Sequence, residues 1–365
     1  MDYQSRLKSL RHKMAEDNVD VAMITSPVNV YYFTGFYTDP HERFLALVID
    51  NRGDQISLFV PELEERAAKD VVDTCTLISV PDGENPYTLL QQTIRPGVRA
   101  FGIEKKNVSL FQYEQLAERF PQAAFTDVEA WITSQRMIKT ADEIARVQRA
   151  VDVIEDVLRR GIEAFSPGMT ELELTAELEY HMKVLGAERP AFSTTVLSGQ
   201  RSSLPHGTPG ERKIERGDFL LIDMGVFVDG YCSDITRTFV VGEGTEKQTD
   251  MYDTVLKANR EAIAAVKSGT PIGNADRAAR DYIAARGYGP FFTHRVGHGF
   301  GLEAHEAPSI HSDNDLVVTP GLLLTIEPGI YIPEIGGVRI EDDVYVGADG
   351  QVQVLTSYPK ELTFL

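Results

Sequence analysis

The chain has 365 residues, a formal net charge of −19 at pH 7, 42% hydrophobic residues and 25% charged residues. These values are typical of a soluble globular protein with room for two domains and a large buried core. The negative charge argues against nucleic acid and anionic membrane surfaces as partners. No apolar run is long enough to predict a transmembrane helix, and residues 1–20 form a charged segment without an apolar signal core, which predicts a cytoplasmic protein.

The first part of the chain alternates short apolar runs with helical patterns. Residues 1–20 predict a helix, and residues 19–26 predict a buried strand that ends in a turn marked by Pro27 and Asn29. The aromatic segment NVYYFTGFYTDPHERFLALVID predicts a strand, a turn and a second strand. Further strands are expected in ISLFVP, TLISVPD and RAFGIE, and a helix is expected from Ser109. This alternation predicts a compact α/β domain.

The pattern changes near Gln135, where we place the domain boundary. Thr140 and Glu143 form a capping-box signature at the start of a long helix, and the same signature recurs at Thr170 and Glu173. The sequence therefore predicts one domain over residues 1–134 and a second domain over residues 135–365.

A weak internal repeat is visible in the second domain. Gly168 and Gly186 lie 101 residues before Gly269 and Gly287, and each pair separates helical segments in the same layout. The repeat predicts a pseudo-twofold α+β domain in which paired helices cover a curved sheet. The alternative is a coincidence between common helix-ending signals.

The segment 217–241, GDFLLIDMGVFVDGYCSDITRTFVV, predicts a β-hairpin. Its flanks are apolar and β-branched, and Asp229-Gly230 is a strong signal for a two-residue turn. This turn would place Val228 opposite Tyr231.

The same register determines where two acidic residues of the hairpin lie. It places Asp223 opposite Thr236 and Gly225 opposite Asp234, so that the two aspartates are diagonal neighbours on one face. Two carboxylates among apolar residues should resist ionisation unless a cation lies between them. The hairpin alone leaves two interpretations open, which are a metal site and a pair of solvent-facing acids on an edge hairpin.

Three further residues favour the metal site. His298 lies in a glycine-rich segment, and Glu327 and Glu341 are embedded in the apolar strands LLLTIEPGIYI and GGVRIEDDVYV. Four carboxylates and one imidazole suit Mn, Co, Fe or Zn better than Ca, and the absence of thiolates argues against a structural zinc site. Bridging carboxylates would hold two metal ions about 3.5–4 Å apart, an arrangement that activates water for amide hydrolysis.

At this point the motifs IDMGVFVDGYCSDITRTF, GHGFGLEAHE, TIEPGIY and GGVRIED resemble those of the pita-bread metallopeptidases, which include the Xaa-Pro dipeptidases (prolidases) and aminopeptidase P. The resemblance extends over essentially the whole chain, because NVYYFTGF is similar to the N-terminal domain of those enzymes. It implies an α+β protein with an α/β creatinase/prolidase-like N-terminal domain and a pseudo-twofold pita-bread catalytic domain.

The resemblance also implies roles for individual residues. The metal ligands would be Asp223, Asp234, His298, Glu327 and Glu341. They would hold two divalent ions, with manganese favoured and cobalt, zinc or iron as alternatives. Glu327 would be the general base that orients the nucleophilic water.

Four more residues match substrate-side positions of the family. His206 and His305 would bind the substrate and stabilise the tetrahedral intermediate, and His294 would contact the substrate. Arg339 would orient the site or bind a carboxylate.

A charged loop, Asp39-Pro-His41-Glu-Arg43, follows the motif TGF. A solvated turn is the simplest interpretation. In prolidases, however, the N-terminal domain of one subunit reaches over the active site of its dimer mate. The resemblance therefore suggests a homodimer in which Asp39, His41 and Arg43 recognise the ends of a short peptide in the partner's site.

These inferences predict hydrolysis of Xaa-Pro dipeptides by a water that bridges two metal ions, with a short proline-containing peptide as substrate. Aminopeptidase P activity on longer peptides and hydrolysis of a non-peptide amide remain alternatives, because the same motifs serve them. A metal-free binding module is a more remote alternative, because proteins of that kind usually lose ligands and none is lost here.

Overall fold

The computed structural model describes residues 1–365 and divides into two compact units, Met1–Arg136 and Met137–Leu365. Both units combine helices with sheets, which confirms the predicted mixed fold class. No helix of the chain has both the length and the apolar character required to cross a membrane.

The first unit is built on one six-stranded sheet with the strand order β4-β3-β2-β1-β5-β6. Pairing within it is mixed, since β1 runs antiparallel to β2 and parallel to β5. Its strands are β1 (Val21–Ile24), β2 (Ala46–Asp50), β3 (Gln55–Pro61), β4 (Thr76–Val80), β5 (Ala100–Ile103) and β6 (Ala124–Asp127). Its helices are α1 (Tyr3–Glu16), α2 (Pro27–Thr34), α3 (Glu65–Lys69), α4 (Pro86–Thr93), α5 (Leu110–Arg119) and α6 (Glu129–Met137).

Helix α2 corrects the sequence prediction, which places a turn at Pro27 and Asn29 and a strand in the aromatic segment after them. Pro27 instead begins the helix, where its missing N–H costs no hydrogen bond and its fixed φ suits the first turn. Gly35 ends the helix in the left-handed conformation, with φ of 77°. The helix is largely buried, so most of its side chains are apolar. The sequence therefore lacks the repeat of apolar and polar positions that marks a helix with one exposed face.

The second unit contains two helix pairs in the layout that the repeat predicts. The helices are α7 (Ala141–Ala164), α8 (Glu171–Val184), α9 (Glu246–Ala265) and α10 (Gly273–Ala285). The predicted capping boxes at Thr140 and Thr170 are both present. All four repeat glycines have positive φ, and the backbone N–H groups of Gly168 and Gly269 donate to equivalent carbonyls, those of Ile214 and Val318.

The strands of the second unit form four small sheets, ordered β12-β9-β8, β11-β10-β7, β14-β13-β15-β18-β19 and β16-β17. One apolar core lies between α7, α8 and the first of these sheets, and a second lies between α9, α10 and the five-stranded sheet. The strands are β7 (Arg189–Pro190), β8 (Thr195–Ser198), β9 (Phe219–Met224), β10 (Val226–Val228), β11 (Tyr231–Cys232), β12 (Ile235–Val240), β13 (Gly297–Gly299), β14 (Glu306–Ile310), β15 (Leu323–Ile326), β16 (Gly329–Ile332), β17 (Gly336–Arg339), β18 (Asp342–Val346) and β19 (Val352–Val354).

The predicted hairpin is present, and its register is confirmed. Val228 pairs with Tyr231, and Asp223 pairs with Thr236. The turn residues Asp229 and Gly230 have φ of 51° and 77°, as a type I′ turn requires.

A second hairpin carries the two glutamates. Ile326 pairs with Asp342, and Gly329 pairs with Arg339. Glu327 and Glu341 therefore lie across from each other between these pairs, as the two acids would in a continuous antiparallel ladder.

Gly225 lies in the hairpin between β9 and β10, where another chain segment approaches closely. A Cβ atom at this position would lie 2.1 Å from the carbonyl oxygen of Ser233. We expect Gly225→Ala to lower the free energy of unfolding by about 1–3 kcal/mol, because the strand must shift to relieve the overlap. Denaturant unfolding would measure the effect. Gly83→Ala is the control, since nothing lies within 4 Å of its added methyl group, and an equal loss in both variants would contradict this explanation.

Candidate functional site

A cavity of about 650 Å³ in the second unit contains the candidate site. Nine of the residues singled out from the sequence line it: His206, Asp223, Asp234, His294, His298, His305, Glu327, Arg339 and Glu341. The structure thus brings together all the candidate metal ligands and all the substrate-side residues of the catalytic domain.

The two hairpins and strand β13 position the candidate ligands. Asp223 is in β9 and Asp234 precedes β12, while Glu327 follows β15 and Glu341 precedes β18. Backbone hydrogen bonds join these elements. The N–H of Glu341 donates to the carbonyl oxygen of Thr236, and the N–H of Glu327 donates to that of Val296, two residues before His298. The ligand positions therefore depend on strand pairing rather than on mobile loops.

Three of these side chains form a compact buried group. One potential ligand atom from each of Asp234, His298 and Glu341 lies within 4.8 Å of the other two, and all three residues are buried. The Nδ1 of His298 lies 3.0 Å from the carbonyl oxygen of Gly299, so this nitrogen carries the proton that donates to it. Nε2 is then free to bind a metal ion.

The Nε2 atom of His298 also lies 3.3 Å from the Oε1 atom of Glu327. If Nδ1 holds the only ring proton, two electron pairs face each other across this distance. A second proton on the ring or a metal ion is required to make the contact favourable.

The carboxylates of the cavity repel one another. Burial and the charges of Glu341 and Asp223 raise the pKa of Asp234 well above its usual range. Burial and the charges of Glu327 and Asp223 likewise raise the pKa of Glu341. Burial also raises the pKa of Asp223, although Arg339 opposes this change. A cation among these groups would remove the repulsion.

Asp223 provides a further sign that the donor set fits a metal ion. Its Oδ2 accepts a hydrogen bond from Arg339, whereas its buried Oδ1 has no hydrogen-bond partner. A buried carboxylate oxygen without a partner is costly. Together with the mixed carboxylate and imidazole donors, this free oxygen suits a divalent metal ion of the Mn, Co, Fe or Zn type.

Glu327 differs from the other acids of the cavity. Burial alone would raise its pKa, but the contact with His298 and the positive charge of Arg339 outweigh this effect and lower the pKa. Among the four acidic side chains that line the cavity, Glu327 is therefore the one that ionises most readily.

Two histidines of the cavity, His294 and His305, are poor cations. Burial and the nearby His298 lower the pKa of His305 to about 4, and the two rings are 4.1 Å apart between centroids. Burial also lowers the pKa of His294. Both imidazoles are neutral at pH 7. The single ring proton of His294 is on Nδ1, which donates to the carbonyl oxygen of Arg295 over 2.7 Å, so its Nε2 accepts from the Tyr331 hydroxyl.

Sequence reasoning missed two hydroxyl groups that organise the site. The Tyr331 hydroxyl lies 2.9 Å from His294 Nε2 and 2.8 Å from Arg339 Nη1. The Thr236 hydroxyl donates to Glu341 over 2.7 Å. Thr236 lies two residues after Asp234, and Tyr331 lies four residues after Glu327. Since side chains alternate between the two faces of a strand, this spacing predicts that both hydroxyl groups face the site.

Arg295 also lines the cavity, and the sequence prediction omits it. It follows His294 directly, and its Nη1 donates to the Ser309 hydroxyl over 3.2 Å. Its position beside a predicted site histidine was the only sequence signal.

The charged loop of the first unit is exposed. Asp39 and His41 are 3.6 Å apart, and Arg43 pairs with Glu42 and Asp82. None of the three predicted loop residues lines the cavity described above, whose lining comes from the second unit.

A pseudo-twofold α+β unit with a buried carboxylate and histidine group in its cavity defines a metal-dependent peptidase of the pita-bread class. Residues 145–348 match the model of metallopeptidase family M24, and residues 6–138 match the creatinase/prolidase N-terminal domain. The chain belongs to metallopeptidase family M24, whose members are metal-dependent, and the resemblance seen in the motifs is confirmed.

Individual relatives span the same length. A protein of Bacillus subtilis (strain 168) with the printed name "Putative dipeptidase YkvY" is 41% identical over 99% of this chain and 100% of its own. The structure of an Xaa-Pro dipeptidase from Bacillus anthracis matches with a TM-score of 0.93 and 33% identity over 100% of both chains. That of an X-Pro aminopeptidase from Thermotoga maritima MSB8 matches with a TM-score of 0.87 and 32% identity, over 95% of this chain and 98% of that one.

The raised pKa values of Asp234 and Glu341 predict how stability depends on pH and metal. In metal-free protein the protonated carboxyls contribute stability at low pH, and this contribution is lost as pH rises through their folded-state pKa values. A cation replaces those protons, so its binding strengthens as pH rises. We expect the increase in melting temperature on adding Mn²⁺ to be larger at about pH 8 than at about pH 5.5.

Differential scanning calorimetry with and without metal would measure this difference. The variant Asp229→Asn changes an acid of the same hairpin outside the cavity and should behave like the parent protein. A manganese effect that is equal at both pH values, or that persists in Asp234→Asn, would contradict the assignment of the cation to this group.

Proposed function

We propose that the protein is an Xaa-Pro dipeptidase that cleaves the amide bond between an N-terminal residue and proline with the help of two divalent metal ions, manganese being favoured. The observation that carries this proposal is the convergence of five ligand-type side chains and three further histidines in one cavity. Family membership and the dipeptidase names among the relatives support it. Catalysis in the cytoplasm is proposed as well.

The metal ions would be held by Asp223, Asp234, His298, Glu327 and Glu341. When bound, they supply an activated water near neutral pH and polarise the scissile carbonyl. Arg339 would keep Asp223 ionised and correctly oriented, since its guanidinium donates to that carboxylate.

Glu327 is the proposed general base. Its lowered pKa keeps its carboxylate ionised, so that it can accept a proton from the attacking water. The same carboxyl group can then return a proton to the proline nitrogen as the amide bond breaks. A proton donor is needed at this step because the nitrogen leaves as a neutral amine and not as an amide anion.

His305 and His206 are proposed to act on the substrate carbonyl. A neutral His305 can donate a hydrogen bond to the oxygen on which negative charge develops, and this interaction strengthens in the transition state. His206 lines the same cavity on a different loop and can donate from another side. His294, which is bonded to Tyr331, is proposed to contact the substrate beside them.

The first test compares an Xaa-Pro dipeptide with an Xaa-Pro-Xaa tripeptide, using metal-stripped protein before and after addition of manganese. We expect the dipeptide to be cleaved only after metal is restored. Asp234→Asn should lose both metal content and activity, whereas Asp229→Asn on the same hairpin should keep them.

The outcome separates the candidate functions. Preference for the tripeptide would indicate an aminopeptidase P, a second candidate supported by the similarity to the Thermotoga maritima structure. Bound metal without cleavage of either peptide would reject a proline peptidase and favour a non-peptide amide. Failure to bind any metal would reject the hydrolase and favour a binding module.

We further propose a homodimer in which Asp39, His41 and Arg43 of one subunit recognise the ends of a peptide in the site of the other. The exposure of this loop and its dense charge support the idea. The triple alanine variant should raise KM for dipeptides with little change in stability, because exposed ion pairs contribute only about 0–1 kcal/mol.

Steady-state kinetics would measure this effect. A matched control removes an exposed ion pair elsewhere in the same unit, Glu65→Ala with Lys69→Ala. Unchanged KM in the loop variant, or the same change in the control, would reject the role of the loop.

A further inference from the structure

Two buried carboxylates outside the candidate metal group occupy related places in the repeat. Glu171 is in the first turn of α8, and Asp276 is in the first turn of α10. Each carboxylate pairs with an arginine and accepts backbone N–H bonds from a loop that carries a cavity histidine. We call Glu171 with Arg201 the α8 pair, and Asp276 with Arg280 the α10 pair.

The α8 pair holds both ends of the loop that contains His206. Glu171 accepts hydrogen bonds from the N–H groups of Ser198 and Gly210, over 2.9 Å and 3.0 Å, and from Arg201 over 3.0 Å. Arg201 in turn donates to the carbonyl of Thr208 over 2.6 Å. One carboxylate therefore fixes the chain before and after His206.

The α10 pair holds the segment that contains His294 in the same way. Asp276 receives two hydrogen bonds of 3.0 Å from Arg280 and one of 2.9 Å from the N–H of Val296. Arg280 donates to the carbonyls of Phe292 and His294, over 3.0 Å and 2.8 Å. These bonds hold Phe292 and Val296, which lie two residues before and after His294, and also the carbonyl group of His294 itself.

A third histidine loop has a similar arrangement. Glu306 pairs with the buried Lys139 over 2.9 Å and accepts the N–H groups of Leu302 and Glu303, just before His305. The same device thus occurs beside each of the three histidines on the substrate side of the cavity.

Stability alone is a poor explanation for these pairs. Removing charges from water is costly, and apolar replacements of buried ion pairs are often neutral or stabilising. What the pairs provide is geometry, because each pair forms hydrogen bonds to the backbone on both sides of a cavity histidine. Catalytic side chains must be held within a fraction of an ångström, and a displacement of about 1 Å can reduce the rate about 100-fold.

We propose that the α8 pair and the α10 pair are separate positioning devices, one for His206 and the other for His294. This inference rests on the proposed function for its effect on catalysis. None of the four residues of these pairs lines the cavity, and they act through the backbone of the histidine loops.

The first experiment observes the histidine rings directly. Zinc-loaded protein with carbon-13-labelled histidine gives one ring Cε1–Hε1 signal for each of eight histidines, and His206→Asn and His294→Asn identify the two signals of interest. We expect Glu171→Gln to shift or broaden the His206 signal and leave that of His294 in place. Asp276→Asn should do the reverse.

The second experiment measures kcat/KM for an Xaa-Pro dipeptide. Asp276→Asn should lower it about 10-fold or more with unchanged metal content. Combined with His294→Ala, Asp276→Asn should cause no further loss, because its effect passes through His294, whereas Glu171→Gln should add its own loss. Arg280→Lys and Arg201→Lys keep the positive charge but remove the paired N–H donors of the guanidinium group. They replace the carboxylate variants if those fail to fold.

Asp50→Asn is the control, because Asp50 is also buried and bonded to an arginine and to a backbone N–H, but in the first unit. It should move neither histidine signal. The proposal is overturned if each variant moves both signals, if neither signal moves, or if the losses caused by Asp276→Asn and His294→Ala are additive. The ring signals test the positioning role even if the parent protein cleaves no peptide, an outcome that would reject the proposed function alone.

Discussion

The repulsion among four carboxylates in one buried cavity is the constraint on which the second unit depends. Asp234 and Glu341 can be neutral only if they hold protons, and they can be ionised only if a cation lies among them. The surrounding structure accommodates the second possibility. Arg339 balances Asp223 from one side, His298 faces Glu327 from another, and an unpaired oxygen of Asp223 remains available. The remaining titratable side chains of the lining are histidines and arginines rather than additional acids.

Strand pairing brings these groups together with little freedom. Each hairpin places two acids on one face through its register, and the backbone bond from Glu341 to Thr236 joins the hairpins. A shift of one residue in either ladder would turn its side chains to the opposite face. The type I′ turn at Asp229 and Gly230 therefore influences chemistry that takes place several residues away from it.

Much of this arrangement could be predicted from local sequence signals. The hairpin register follows from turn chemistry, the helix starts follow from capping boxes, and the repeat follows from glycine spacing. Helix α2 was predicted wrongly because a buried helix lacks a polar face, and proline was interpreted as a turn residue. The bonds by which Glu171 and Asp276 hold the histidine loops could not be predicted, since they join residues 20 to 39 positions apart in sequence. The motifs could not separate a dipeptidase from an aminopeptidase, because both kinds of enzyme share them.

The repeat also distributes the candidate ligands between two halves of the catalytic unit. Asp223 and Asp234 belong to the half with α7 and α8, while His298, Glu327 and Glu341 belong to the half with α9 and α10. Each half has its own apolar core, and the exposed turn at residues 243–245 joins them. Neither half alone can form the complete ion site. A chain cut in that turn would consequently regain the full set of candidate ligands only when the two fragments reassemble.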